Sequence, residues 1–160
     1  MPKLTTLFKW PTPLDTDRVI DGEDAMGTLA QAIENTLKAT TWVATPSNDF
    51  VLGTSVWTAT INLACTGATV GSTLLAVGLV SVAAGAGAGT GYGTIDGTGV
   101  TSRMTETPGI SLAANQQGGI PVFNLLTVTA ANPVVTLKAN SSSASSTLRK
   151  QSHLVVARIG

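Results

Sequence analysis

The side chains that could do chemistry in this chain are few and scattered. His153 is the only histidine and Cys65 the only cysteine. A metal site gathers three or four ligands from His, Cys and carboxylates. The sequence around His153, QSHLVVARI, supplies none of the others. His153 therefore reads as a structural or interface residue, with a titrating role at a subunit contact as the one further option. Cys65 has no partner for an intrachain disulfide and reads as a small buried thiol. Nucleophilic catalysis needs a base beside a Ser, Thr or Cys. His153 is the only conventional base, and no GxSxG-type elbow accompanies the many serines. Two carboxylates facing each other across a groove could hydrolyse a glycan. Beyond residue 48 the chain offers only Asp49, Asp96 and Glu106, each in loop-like sequence. The stretch 85–93, GAGAGTGYG, invites a phosphate-loop reading but has no Gly-Lys-Ser/Thr, no strict GxGxxG and no helical period after it. It reads as a Gly-rich crossover or loop anchored by Tyr92. No catalytic residue, metal ligand or cofactor site emerges, and the chain is not expected to be an enzyme.

With no reactive centre, function must lie in surfaces. Lys plus Arg number 9 and Asp plus Glu number 9, for a net charge of zero with 11% of residues charged. A nucleic-acid binder would carry a basic patch, and none is visible. A neutral surface with so few charges does little to keep copies apart, which suits a protein packed in an assembly. The apolar run 73–88, TLLAVGLVSVAAGAGA, is shorter than the ~20 residues of a spanning helix. It reads as a strand buried on both faces rather than a membrane segment. The start, MPKLTTLFKWPTP, lacks the apolar run of a signal peptide, so synthesis in a cytoplasm is expected.

Three kinds of element must present these surfaces. Residues 1–20 form an extended arm punctuated by Pro2, Pro11 and Pro13, each fixing its own φ and extending the residue before it. Leu7, Phe8 and Trp10 are its docking anchors. Residues 21–38, DGEDAMGTLAQAIENTLK, predict a short amphipathic helix. Asp21 suits the N-cap, Glu23 and Asp24 the first turn and Lys38 the last. Met26, Leu29, Ile33 and Leu37 recur at spacings of 3, 4 and 4, giving one apolar stripe as the helix contact. So short a helix is marginal alone and must bury that stripe. Residues 39–48 read as a linker.

From residue 49 the chain turns to Thr, Val, Gly and Ala. Strands are expected near 50–52, 55–63, 73–83, 93–103, 110–113, 122–130, 134–139 and 152–159, separated by Gly-, Asn- and Pro-rich breaks. In 55–63, Trp57, Ala59, Ile61 and Leu63 alternate with Val56, Thr58, Thr60 and Asn62, as in a strand with one buried face. The Ser-rich 140–146 reads as a flexible polar tip. The fold class is mainly β: an N-terminal arm and one short helix, then an antiparallel jelly-roll-like β-sandwich over 49–160.

Two stretches carry a family likeness. Pro11, Pro13, Asp21, Gly22, Asp24, Ala25, Leu29, Ala30, Ile33 and Glu34 form a pattern that resembles the N-terminal segment of small structural proteins of tailed phages, of the minor tail, head-fibre and capsid-decoration types. The last 40 residues, with His153, Leu154, Ala157 and Ile159 in the closing strand, resemble the end of a C1q/TNF-like trimeric sandwich. That resemblance implies a homotrimer with apolar residues on its axis. The two together imply a virion structural protein, made in the host cytoplasm; a small neutral domain suits a many-copy capsid decoration or head-fibre protein on the outer capsid surface. Its partners would be the major capsid protein (or a tail protein) and further copies of itself, with no nucleic acid and no membrane. A tail-tip or tail-fibre component binding a host receptor is the alternative, and a virion-associated glycan hydrolase a remote one. A receptor binder predicts a long apical loop bearing aromatic residues. The segment 140–146 bears none, which favours decoration.

Overall fold

The computed structural model describes residues 3–4, 11–12, 28–31, 41–104 and 107–160. The chain divides into two units, Met1–Thr40 and Thr41–Gly160. In the first, β1 (Lys3–Leu4) pairs antiparallel with β2 (Pro11–Thr12), and residues 28–31 are helical. Leu29 is half-buried there. Leu7, Phe8, Trp10, Met26, Ile33 and Leu37, and the remainder of the helix expected over 21–38, lie outside the described residues.

The second unit is a sandwich of two antiparallel sheets, the fold class the sequence predicts. The first sheet runs β3 (Thr41–Ala44), β13 (His153–Arg158), β6 (Thr73–Ala83), β10 (Gln117–Val128) and β8 (Val100–Ser102). At one end of β6 it is widened by β12 (Thr147–Leu148) and β4 (Phe50–Val51). The second sheet runs β5 (Thr58–Ala64), β11 (Val134–Ser141), β7 (Gly89–Thr98) and β9 (Gly109–Leu112). From β5 to β11 each longer strand lies in the opposite sheet from the one before, and β3 pairs with β13. The segment 39–48 is thus not simply a linker. Thr41–Ala44 is the edge strand of the first sheet, and Trp42 and Ala44 pack against the core.

The core is the layer between the sheets. Leu74, Ala76, Val80 and Val82 of β6 and Ile120, Val122, Leu126 and Val128 of β10 meet Ile61, Leu63, Val135, Leu137 and Ile95 from the other side. Each such side chain contributes about 1.5–3 kcal/mol through burial. Within 85–93, Gly85 and Gly87 lie in the loop that crosses from β6 to β7, while Gly89, Gly91 and Gly93 belong to the strand itself. β7 begins at Gly89, and a Cβ on Gly93 would sit 2.6 Å from Val122 Cγ2 and 3.0 Å from Val80 Cγ2. The bare backbone lets the valines of the first sheet close on the second. Asn124, also inward on β10, donates through Nδ2 to the carbonyl of Ile95 at 2.7 Å and so ties the layers.

Two further expectations change. The serine-rich 140–146 is not a free tip: Ser141, Ser143 and Ser146 are buried. Ser141 Oγ donates to Ser146 Oγ (2.7 Å), Ser146 Oγ to the Ser143 carbonyl (3.2 Å) and Ser143 Oγ to the Gly87 carbonyl (3.1 Å). A Cβ on Gly85 would lie 2.7 Å from the Ala144 carbonyl oxygen, so the serine loop and the Gly-rich turn are fitted to each other. In β5 the register breaks opposite Leu137 and Lys138. This bulge adds a residue and shifts the alternation. Ile61 and Leu63 stay inside, while Ala59 and Trp57 face solvent.

Candidate assembly surface

The run 73–83 is apolar on both sides, yet the described residues cover only one. Leu75, Val77 and Leu79 point away from the core layer; Val77 is 47% exposed and the two leucines are half-buried. Strand register extends this face sideways. Val77 stands opposite Val155 of β13 and Phe123 of β10, and Val155 stands opposite Val43 of β3. Four strands thus carry one row of Val43, Val155, Val77 and Phe123. Val43 is 62% and Phe123 54% exposed. The flanking rows are His153, Leu79 and Pro121 on one side and Ala157, Leu75 and Leu125 on the other. Neighbouring strands lie about 4.8 Å apart and successive rows about 6.6 Å, so these side chains are contiguous.

No charged side chain sits on this face between the strand ends. Among the described residues, Arg103 marks one margin, its Nε donating to Thr127 Oγ1 at 2.8 Å. Arg158, at the end of β13, reaches toward Thr69 Oγ1. Pro121 is tolerated in β10 because β8 pairs only with Leu126–Val128, leaving the strand an edge where the proline lacks its N–H. His153 Nδ1 lies 3.3 Å from the carbonyl oxygen of Gln151. That oxygen only accepts, so the hydrogen bond needs a proton on Nδ1 and leaves Nε2 as the ring's free acceptor.

The outer face of the second sheet has the opposite chemistry. Thr94, Asp96, Thr136, Lys138, Asn140 and Tyr92 line it in register. Lys138 Nζ pairs with Asp96 Oδ2 at 2.6 Å and Thr136 Oγ1 donates to Asn62 Oδ1 at 2.9 Å.

A second exposed apolar group lies at the end of the sandwich where β6 finishes. Phe50 and Trp57 are 39% and 41% exposed, with Val51 and Val56 beside them in sequence. Asp49, just before β4, is held below its ordinary value. The Lys150 backbone N–H donates to Oδ1 (2.7 Å) and Arg149 Nη1 to Oδ2 (2.8 Å). The chain enters the unit at the opposite end, where Thr41 stands opposite Ala157 and Ala157 opposite Leu75. The nine residues of β6 from Leu75 to Ala83 span about 25 Å.

The candidate chemical groups are not brought together. Asp49 precedes a strand of the first sheet and Asp96 lies on the outer face of the second, each paired with a cation. Glu106 is outside the described residues. Cys65 is fully buried, its thiol pushed up to about 11 by desolvation. Among the described residues no three His, Cys, Asp or Glu lie close enough to hold a metal ion, and no helix is long and apolar enough to cross a membrane. The sequence reading did not single out this apolar face because it named anchors only in the arm and helix. The signal was present in β6, whose two-sided apolar run exceeds what one sandwich can cover.

No known protein family matches the sequence, and no curated protein matches it. Among solved structures, the fold is similar to a chain of the tripod (BppUct-A-L) from the baseplate of bacteriophage Tuc2009. The TM-score is 0.46 at 12% identity, over 96% of this chain and 75% of that one.

Proposed function

We propose that the chain is a structural protein of a tailed-phage virion whose sandwich associates as a homotrimer through the outer face of the first sheet. The observation that carries this reading is the uncharged row Val43, Val155, Val77 and Phe123. Lone exposed apolar side chains are ordinary, but a contiguous group on one face marks a contact. The strand order supports the trimeric jelly-roll form. Eight longer strands are split β3-β13-β6-β10 and β5-β11-β7-β9, all antiparallel, with the first beside the last. The phage assignment rests on the pattern between Pro11 and Glu34. Residues 1–20 and the helix expected over 21–38 then serve as the attachment, with Phe8, Trp10 and the Met26–Leu37 stripe as contacts to a capsid or tail protein.

Within the virion, a tail-tip component that meets the host surface is favoured over capsid decoration. A receptor binder should expose aromatic residues away from its attachment. Phe50 and Trp57 do so, about 25 Å along β6 from the point where the chain enters the unit. Two measurements test the proposal. Mass photometry at micromolar concentration should give a species of three chains, and a monomer would refute association through this face. Antibody labelling in electron micrographs should mark tails; labelled heads would restore the decoration reading. Hydrolysis of a host glycan that is lost on Asp49→Ala or Asp96→Ala would replace the structural reading with an enzymatic one.

A further inference from the structure

We infer that His153 makes association through this face pH-sensitive, holding copies together at neutral pH and releasing them in mild acid. The inference rests on the homotrimer reading above. His153 stands in the row with Leu79 and Pro121, next to the row of Val155, Val77 and Phe123. It is half-buried before any partner arrives. Closing a second copy over the face removes more water from the ring, which disfavours the imidazolium.

Among the described residues, the strands that flank the ring do not offset that cost. Thr41–Ala44, Thr73–Ala83 and Gln117–Val128 contain no charged residue. On its own strand the other ionisable group is Arg158, five residues away at the far end and directed to Thr69. In the turn before β13, Lys150 is exposed and Arg149 is paired with Asp49. Arg103, at the margin beside Thr127, is also a cation. Thr127 is opposite Thr73 while His153 is opposite Leu79, a separation of about 20 Å along β6. Among the described residues the acidic side chains are Asp49, already held by Arg149 and the Lys150 N–H, and Asp96, on the outer face of the second sheet. Every copy brings the same four strands, so the matching strands of a symmetric partner supply no carboxylate to this row either. The neutral ring keeps its Nδ1 proton on the Gln151 carbonyl. Protonation adds a charge at Nε2 with no acceptor identified for it.

The sign follows from linkage. The assembled state binds fewer protons than the free chains, so acid favours dissociation. A chain protonated at His153 must release that proton on assembly, up to one per chain. The trimer's dissociation constant then rises by up to about a thousandfold per pH unit, tenfold for each chain.

The test is mass photometry of the full chain, His153→Gln and His153→Lys at pH 8.0, 6.5 and 5.0, with far-ultraviolet circular dichroism at each pH. The wild-type chain should be oligomeric at pH 8.0 and a folded monomer at pH 5.0, reversibly. His153→Gln should stay oligomeric throughout, and His153→Lys should be monomeric even at pH 8.0. A wild-type oligomer that persists at pH 5.0 overturns the role of His153 and leaves the face reading standing. That role is equally overturned if His153→Gln dissociates alongside the wild type, if His153→Lys remains assembled, or if acid unfolds the chain. A wild-type monomer at pH 8.0 overturns the face reading and this inference together.

Discussion

The two outer faces of the sandwich are built from the same strand geometry and meet opposite ends. On the first sheet, outward positions carry Val43, Val155, Val77 and Phe123 in one row. On the second, outward positions carry Asn62, Thr136 and Asp96 in one row, with Lys138 closing onto Asp96. Both inner faces are equally apolar, so folding of the single chain does not explain the difference. A sandwich needs one buried side per sheet. The second sheet stops there, with an outer face that hydrogen-bonds to itself and to water. The first sheet has a second apolar side left over. Association through the outer face of the first sheet, as proposed above, would account for this asymmetry.

The contrast can be broken by moving charge. Phe123→Glu should weaken association by about a hundredfold or more, because an unpaired carboxylate would have to be desolvated on closure. Thr94→Glu, on the other outer face, should leave the oligomer unchanged. Sedimentation of both variants decides whether the faces differ in function or only in composition.

Adjacent leucines of β10 sharpen the same point within one strand. Leu126 is fully buried and Leu125 half-buried on the outer side. Leu126→Ala should cost about 2–5 kcal/mol of folding stability through lost burial and a cavity. Leu125→Ala should cost the monomer under about 1 kcal/mol and lower the association constant instead. Thermal melts paired with oligomer measurements separate the two. Cys65 reports that the core layer stays closed in these variants. With its thiol pushed up to about 11 and no exposed surface, it should resist alkylation at pH 8 until denaturant opens the sandwich.

The smallest effects belong to polar pairs. Asp96→Asn removes a half-exposed ion pair with Lys138 and should cost only about 0.2–1 kcal/mol. Asp49 is lowered in the folded state from its ordinary 3.8, mainly by the Lys150 N–H and then by Arg149. Its contribution is therefore present above pH 3.8 and lost as pH falls through the lower folded value. The melting temperatures of the wild type and Asp49→Asn should differ slightly at neutral pH and converge in strong acid.

Much of the fold was legible because β signals are local. Strand β6 is expected and found over the same eleven residues, since its apolar run is bounded by Gly71 and by the alanines and glycines after Ala83. The turn at Asn115 and the break at Asn132, both at positive φ, likewise announce themselves by residue type. Three features were not legible. Thr41–Ala44 has only four residues and a proline two positions on, too short a signal to outweigh the look of a linker. The bulge opposite Leu137 and Lys138 reverses the facing of Trp57 and Ala59 through a register chosen by the partner strand. The serine loop looks flexible because hydroxyls suit solvent as well as a buried network. Only the approach of Gly85 and Gly87 makes them partners.

The sequence alone determined that this is a mainly β protein, because residue types and their alternation act within a strand. It also determined that β6 is apolar on both sides. Which of those sides the chain covers itself was decided only in three dimensions. That depends on strands distant in sequence, β13 and β10, pairing with β6 in the one register that aligns Val155, Val77 and Phe123. Cross-strand neighbours are set by long-range pairing, so no local pattern could have shown that four separate apolar residues form a single face.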